Sequence, residues 1–262
     1  MTPLAALPMY DWPEVAAATD ALWAAIRDRL RTEGVAAPDG LDRERGLAEG
    51  WTDPGLVLGQ TCGLPLVGAL AGRVAVVGAL DYGLPGCAPG WYRSAVVVRA
   101  EDPRARLADF RGATLAINGT DSQSGWEAIL HHAAPLAADG RFFGRVRETG
   151  AHRASVRAVA AGAADVAAID VVSWRLAGRF VPEAARLKVL FLTDPTPGLP
   201  LIAAKGADVA ARRRAVAAAV AGLDAATRAA LGVRGFVALG AGDWAIVGAR
   251  HAAATARIGG PD

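Results

Sequence analysis

The sequence predicts an α/β fold in two lobes, each a mainly parallel sheet flanked by helices. Its length of 262 residues exceeds one small domain and suits two lobes of ordinary size. Short apolar runs alternate with longer stretches of helical period, the pattern of strands and helices taken in turn. Two segments, near Tyr92 to Arg99 and near Thr193 to Leu199, interrupt that alternation and restart it. These two crossover segments place lobe I at residues 1–95 and 199–262 and lobe II at 96–198, with hinges near 92–99 and 193–199.

Leu4 to Met9 reads as the first strand. Asp11-Trp12-Pro13-Glu14 then looks like a capping box with proline inside the first turn. The helix that follows has Val15, Leu22, Ile26 and Leu30 on its apolar face, Arg27, Asp28, Arg29 and Arg31 in solvent, and Gly34 as its stop. Strand Leu56 to Gly59, a helical Leu64 to Ala71 and strand Val74 to Leu80 continue lobe I. The run YRSAVVVR, Tyr92 to Arg99, is a buried strand and the first crossing. Lobe II then has a short helix around Leu107, strand Thr114 to Ile117, a helix from Ser124 through Leu136, strand Val146 to Thr149, a helix from Ser155, strand Asp165 to Ile169, a helix through Trp174 and strand Leu187 to Leu192. Thr193-Asp194-Pro195-Thr196-Pro197-Gly198 is the strongest breaker cluster and the return crossing. After it come strand Leu199 to Ala203, a long Ala/Arg helix from Val209 and a last helix near Trp244, expected to pack back on the first lobe.

Composition excludes several functions. Hydrophobic residues make up 53% and charged residues 21%, enough to bury a substantial core. The 28 basic and 26 acidic residues leave a formal charge of +2, which gives no support to a nucleic-acid partner. No apolar run is long enough to span a membrane, so no membrane insertion is expected. Cys62 and Cys87 are too few for a disulfide framework or zinc module; one bridge is open to them, and two thiols are expected in a cytoplasmic chain. His131 and His132 are adjacent on a helix, about 100° apart, and so cannot chelate one metal in the usual i, i+4 manner. They read as solvated, as does Arg212-Arg213-Arg214 on its Ala-rich helix. Met1 to Met9 has neither a basic region nor a long apolar stretch of the export type, which points to the cytoplasm unless the chain is a processed form.

In parallel α/β sheets ligands lie outside the carboxyl ends of the strands. Tyr10-Asp11, Gln60-Thr61-Cys62, Asp81-Tyr82, Asp121 to Gly125, Thr149 to His152 and Asp170 all follow predicted strands. The segment Asn118 to Trp126, NGTDSQSGW, is the most informative, because two hydroxyls and a glycine stand where a strand gives way to a helix. Unpartnered amides, the helix dipole and the hydroxyls of Ser122 and Ser124 make an anion trap there; a single serine capping the helix is the other reading. Asp170 and Asp11 either pair with a cationic ligand group or cap the helices they precede. A Cys62 nucleophile with His152 as base is a weak enzyme reading, since nothing in the sequence brings the two together.

The segments LPMYDWPEV (Leu7 to Val15), QTCGLPLV (Gln60 to Val67), DYGLPGC (Asp81 to Cys87), YRSAVVVR, DSQSGW (Asp121 to Trp126), TGAHRAS (Thr149 to Ser155) and AIDVVSW (Ala168 to Trp174) resemble the phosphate/phosphite/phosphonate type of ABC-importer substrate-binding protein. The resemblance spans about residues 7 to 203 and implies a type II periplasmic-binding fold. It also implies that Ser122, Gln123 and Ser124 hold a ligand's acidic group while Tyr10, Gln60, Thr61 and His152 close on it. With Asp11, Tyr82, Tyr92 and Asp170 these form the candidate ligand-binding set. The expected function is capture of a small oxyanion-bearing metabolite, phosphonate- or phosphate-ester-like and zwitterionic if the aspartates take part, in an interlobe cleft for ABC import. No catalysis, cofactor or metal is expected. The expected partners are the ligand and an ABC permease, and the chain is expected to be a monomer. The resemblance implies the periplasm, against the cytoplasm suggested by the N-terminus. A cytoplasmic ligand sensor and an enzyme of cofactor biosynthesis on the same fold are the other readings.

Overall fold

The computed structural model describes residues 2–258. The chain begins with β1 (Leu4–Ala6), α1 (Ala16–Thr32), α2 (Leu47–Thr52), β2 (Leu56–Gln60), α3 (Gly63–Val67) and β3 (Val74–Asp81). After a short β4 (Trp91–Tyr92) come β5 (Ser94–Arg99), β6 (Thr114–Ile117), a π-helical turn (Gln123–Glu127) running into α4 (Ala128–Ala133), β7 (Arg145–Glu148), α5 (His152–Ala160), β8 (Val166–Asp170), α6 (Val171–Phe180) and β9 (Leu187–Leu192). A short β10 (Thr196–Pro197) pairs with β4, and β11 (Pro200–Ala204), α7 (Val209–Ala221), α8 (Ala225–Leu231), β12 (Gly235–Val237) and α9 (Ala245–Thr255) complete the chain. Two compact units result: the described residues up to Trp91 with Pro197–Trp244, and Tyr92–Thr196 with the described residues from Ala245 onward.

In the first unit the sheet order is β1-β2-β11-β3-β12. β1 is parallel to β2, and β11 is antiparallel to both β2 and β3, so β1, β2 and β3 point the same way and end at one edge. Register slips between Leu201 and Ile202 where β11 meets Gly78, whose φ is +151°. A Cβ on Gly78 would stand 2.3 Å from the Val237 carbonyl oxygen, so this bulge requires glycine. Leu22, Trp23, Ile26 and Leu30 recur at helical spacing on α1 and share one core with Val57, Leu58, Ala215, Val216 and Ala219. The capping box expected at Asp11 does not form: Trp12 is the N-cap, without a side-chain bond. Asp11 lies 2.6 Å from Arg43 instead, because an arginine 32 residues on, beyond α1, offers its carboxylate a charged donor where the amide offers a neutral one.

Arg212, Arg213 and Arg214 are not a solvated row. Arg212 is buried and donates to the carbonyls of Val57 (2.8 Å) and Asp208 (3.0 Å), and Arg213 donates to those of Val77 and Leu239 (both 2.9 Å). Two guanidinium groups thereby satisfy strand and loop carbonyls beneath α7, and only Arg214 turns outward, to Glu33.

In the second unit the order is β7-β6-β8-β5-β9. β6 is parallel to β7 and β8, while β5 runs antiparallel to both β8 and β9, so β6, β7, β8 and β9 all end at the edge where β5 begins. Val96, Val98, Leu115, Ile117, Trp126, Ile129 and Leu130 fill its core. Ala254 on α9 and Ile258 beyond it belong to this core, and α9 packs on α4. The last helix therefore leaves the first unit, contrary to the expectation for this part of the chain; residues 259–262 of that expectation lie outside the described residues. Its apolar face completes the second core, while Trp244, just before it, stays buried in the first and donates to the Gly198 carbonyl at 3.0 Å.

His131 and His132 are also less solvated than expected. Their rings meet edge to face at 5.3 Å, His132 packs likewise on Phe191, and both face Asp194 at 3.7 and 3.9 Å. No disulfide joins Cys62 and Cys87; both carry thiols. Among the described residues no helix is long and apolar enough to cross a membrane.

Candidate functional site

The strand ends of the second unit bring together Ser94, Ser122 to Glu127, His152 and Asp170. Ser122 caps the π-helical turn, its Oγ accepting from the Gly125 amide at 3.0 Å, so the capping reading holds for this hydroxyl. Ser124 differs: its Oγ lies 2.8 Å from His152 Nε2, and its carbonyl accepts from Ser94 Oγ at 2.9 Å. Gln123 donates from Nε2 to Thr196 Oγ1. Gly125 is required by close approach. A Cβ there would stand 1.8 Å from Asn118 Oδ1 and 3.3 Å from His152 Cε1. The Ser-x-Ser-Gly sequence is thus a cap, a donor to Thr196, a hydroxyl aimed at an imidazole and a residue that lets the imidazole in.

His152 opens α5, three residues earlier than the predicted helix start at Ser155. Burial pushes its pKa down to about 4, so at neutral pH the ring is uncharged and offers one N–H donor and one acceptor. Its Nδ1, shielded from solvent, has no hydrogen-bond partner among the described residues. Asp170 caps α6: its Oδ1 accepts from the amides of Val172 (2.7 Å) and Ser173 (3.2 Å). Tyr92 is buried in β4.

The first unit's edge carries a second set. Tyr10 and Tyr82 pack edge to face with centroids 5.3 Å apart. Gln60 and Thr61 are buried at the end of β2; the Gln60 carbonyl accepts from Trp51 Nε1 at 2.9 Å, and the Thr61 amide donates to the Pro200 carbonyl at 3.0 Å. Asp81 Oδ1 takes the amides of Gly83 (3.0 Å) and Gly90 (3.2 Å). No group of three or more metal-ligating side chains occurs among the described residues.

Residues 61–244 match the family model described as ABC transporter, phosphonate, periplasmic substrate-binding protein, well over half of the chain. The chain belongs to this family. It is a solute-binding protein, and the family is a substrate-binding component of ABC transport. Solved structures share the fold at low identity. PhnD1 of Prochlorococcus marinus, solved in complex with methylphosphonate, gives a TM-score of 0.72 at 14% identity over 94% of this chain and 96% of its own. A binding protein component of an ABC phosphonate transporter from Pseudomonas aeruginosa gives 0.71 at 17% over 99% and 90%. XAC2383 of Xanthomonas citri, solved bound to ATP, gives 0.69 at 16% over 98% of each chain. The comparison with curated proteins finds no match.

Within this family member, sequence reasoning stopped one residue short. Glu127 ends the informative turn and is fully buried, and neither carboxyl oxygen has a partner among the described residues. Burial pushes its pKa up to about 7, against the opposing pull of Arg250. The signal was present as Ser124-x-x-Glu127, a capping-box spacing that this turn does not use as one.

Proposed function

We propose that the protein captures a small phosphonate or phosphate-type oxyanion at the turn Ser122 to Gly125, with Ser124 and His152 as the pair that donates to it. The observation that carries this is the 2.8 Å contact between Ser124 Oγ and a neutral, half-buried imidazole at the carboxyl edge of a mainly parallel sheet. Neither group contributes a formal charge at neutral pH. The anion is held by oriented dipoles and donors, which lose little to reorganisation because Ser94 and Gly125 fix the turn. The methylphosphonate and ATP found in PhnD1 and XAC2383 share a tetrahedral phosphorus oxyanion, and that shared group is the class proposed here.

The proposal extends to Tyr10, Gln60, Thr61, Tyr82, Tyr92 and Gln123, whose replacement by alanine is expected to weaken capture. Asp11 and Asp170, whose carboxylates also serve Arg43 and the start of α6, are the proposed partners of a cationic ligand group where the ligand carries one. The periplasm is the proposed compartment and an ABC permease the proposed partner, a reading the family description supports, and the protein is proposed to be monomeric and non-catalytic.

Calorimetric titration with methylphosphonate and inorganic phosphate tests this reading. Ser124→Ala should weaken binding by about 1–3 kcal/mol with little change in melting temperature. Ser122→Ala should instead cost about 1 kcal/mol of stability through the lost cap. Full affinity in a Ser124→Ala, His152→Ala double variant would overturn the assignment.

A further inference from the structure

Three residues beyond Ser124, in the same turn, the Glu127 carboxyl is completely buried without a hydrogen-bond donor among the described residues. A carboxylate so placed is unsupported, whereas the protonated acid leaves only neutral polar atoms out of water. The elements packed on the turn are α4, β6, β8 and α9. On α4, burial lowers the pKa values of His131 and His132 against the opposing pull of Asp194, which faces them. β6 has no titratable group, Asp170 at the end of β8 caps α6, and burial lowers the pKa of His251 on α9 as well. Arg250 on α9 draws Glu127 toward ionisation, but its NH1 donates to the Pro195 carbonyl at 3.1 Å and burial outweighs it. His152 on α5 reaches the turn through Ser124 and is uncharged.

Resting on the oxyanion reading above, we propose that Glu127 sets the charge the turn accepts: it keeps its proton while the turn holds an oxyanion, and its ionisation drives the anion out. A second negative charge in the same turn, away from solvent, is only weakly screened. By linkage the bound anion also favours the protonated acid, so capture and proton retention reinforce each other. Glu127 is a positioning residue in this scheme, acting on the ligand through the turn's electrostatics.

The test is the affinity of the full chain for methylphosphonate and for inorganic phosphate at pH 6, 7 and 8, in wild type and Glu127→Gln. The ligand's own ionisation affects both proteins alike, so the ratio of their dissociation constants isolates the carboxyl. Ionisation near pH 7 makes wild type weaken relative to Glu127→Gln by about tenfold from pH 6 to pH 8. A flat ratio overturns the role of Glu127 and leaves oxyanion capture standing. Absence of binding to both probes by wild type at pH 6 removes the capture reading, and this inference with it. If the glutamine variant does not fold, the side-chain carboxyl carbon shift of Glu127 in wild type decides by NMR titration. Its midpoint must move upward when either probe is added, and an unmoved midpoint overturns the proposal.

Discussion

The two units end their parallel strands in the same way and finish those ends with opposite chemistry. In the first, the edge is closed on itself: the Gln60 carbonyl holds Trp51, the Thr61 amide holds Pro200, Asp81 holds two glycine amides, and Tyr10 lies on Tyr82. In the second, polar atoms stand buried with bonds unmade among the described residues, at His152 Nδ1, Asn118 Oδ1 and both Glu127 oxygens. Because buried polar groups are normally satisfied, unmade bonds concentrated at one strand edge mark where the fold has traded stability for something else. The buried charges repeat the contrast. Arg212 in the first unit donates to two carbonyls, whereas Glu127 in the second has no donor among the described residues and its pKa is pushed up to about 7.

Substitutions that treat the two edges alike should sharpen this contrast. Gly125→Ala places a methyl on Asn118 and against His152 and should cost about 3 kcal/mol while abolishing capture. Gly78→Ala, equally crowded by the Val237 carbonyl, should destabilise by a similar amount and leave the intrinsic affinity of the folded fraction intact. Denaturation curves and titrations of the pair read both effects, and loss of affinity in Gly78→Ala would break the contrast. The next effect is pH-dependent. Glu127 has a folded pKa of about 7, raised above its ordinary value of 4.5, so its contribution is fully present below pH 4.5 and is lost as pH rises through 7. Glu127→Gln should therefore gain on wild type as pH rises, by about 3 kcal/mol at pH 9, measured as the difference in unfolding free energy across pH. Arg212→Met should cost about 2 kcal/mol by stranding the Val57 and Asp208 carbonyls, whereas Arg214→Ala, which gives up an exposed pair with Glu33, should leave the melting temperature unchanged.

Much of the architecture was legible because strand ends and helix faces announce themselves locally. The strands at Leu56, Val74, Thr114 and Leu187 begin where the apolar runs predicted, and the serine turn stood out by residue type. What escaped depends on partners far along the chain. Asp11 looked like a cap because nothing in its neighbourhood reveals Arg43, and Arg212 looked solvated because its acceptor at Val57 lies 155 residues away. β12 was missed since Gly235 to Val237 is too short to show a period, and α2 and α8 for the same reason. Glu127 was passed over because a glutamate in a helix is normally exposed, and only three-dimensional packing shows this one enclosed.

The passage from Trp244 to Ala245 has a consequence for how the chain acquires its structure. Neither unit is one uninterrupted stretch, and the second core lacks Ala254 and Ile258 until the chain has been made past both strands of the first unit that follow Thr196. As synthesis proceeds from the N-terminus, the first unit has all its strands once Val237 emerges, while the second, begun earlier at Tyr92, waits for the final helix. The portion that carries the serine turn is thus the later of the two to be sealed, and a chain ending at Trp244 would have every strand of the first unit and an incomplete core in the second.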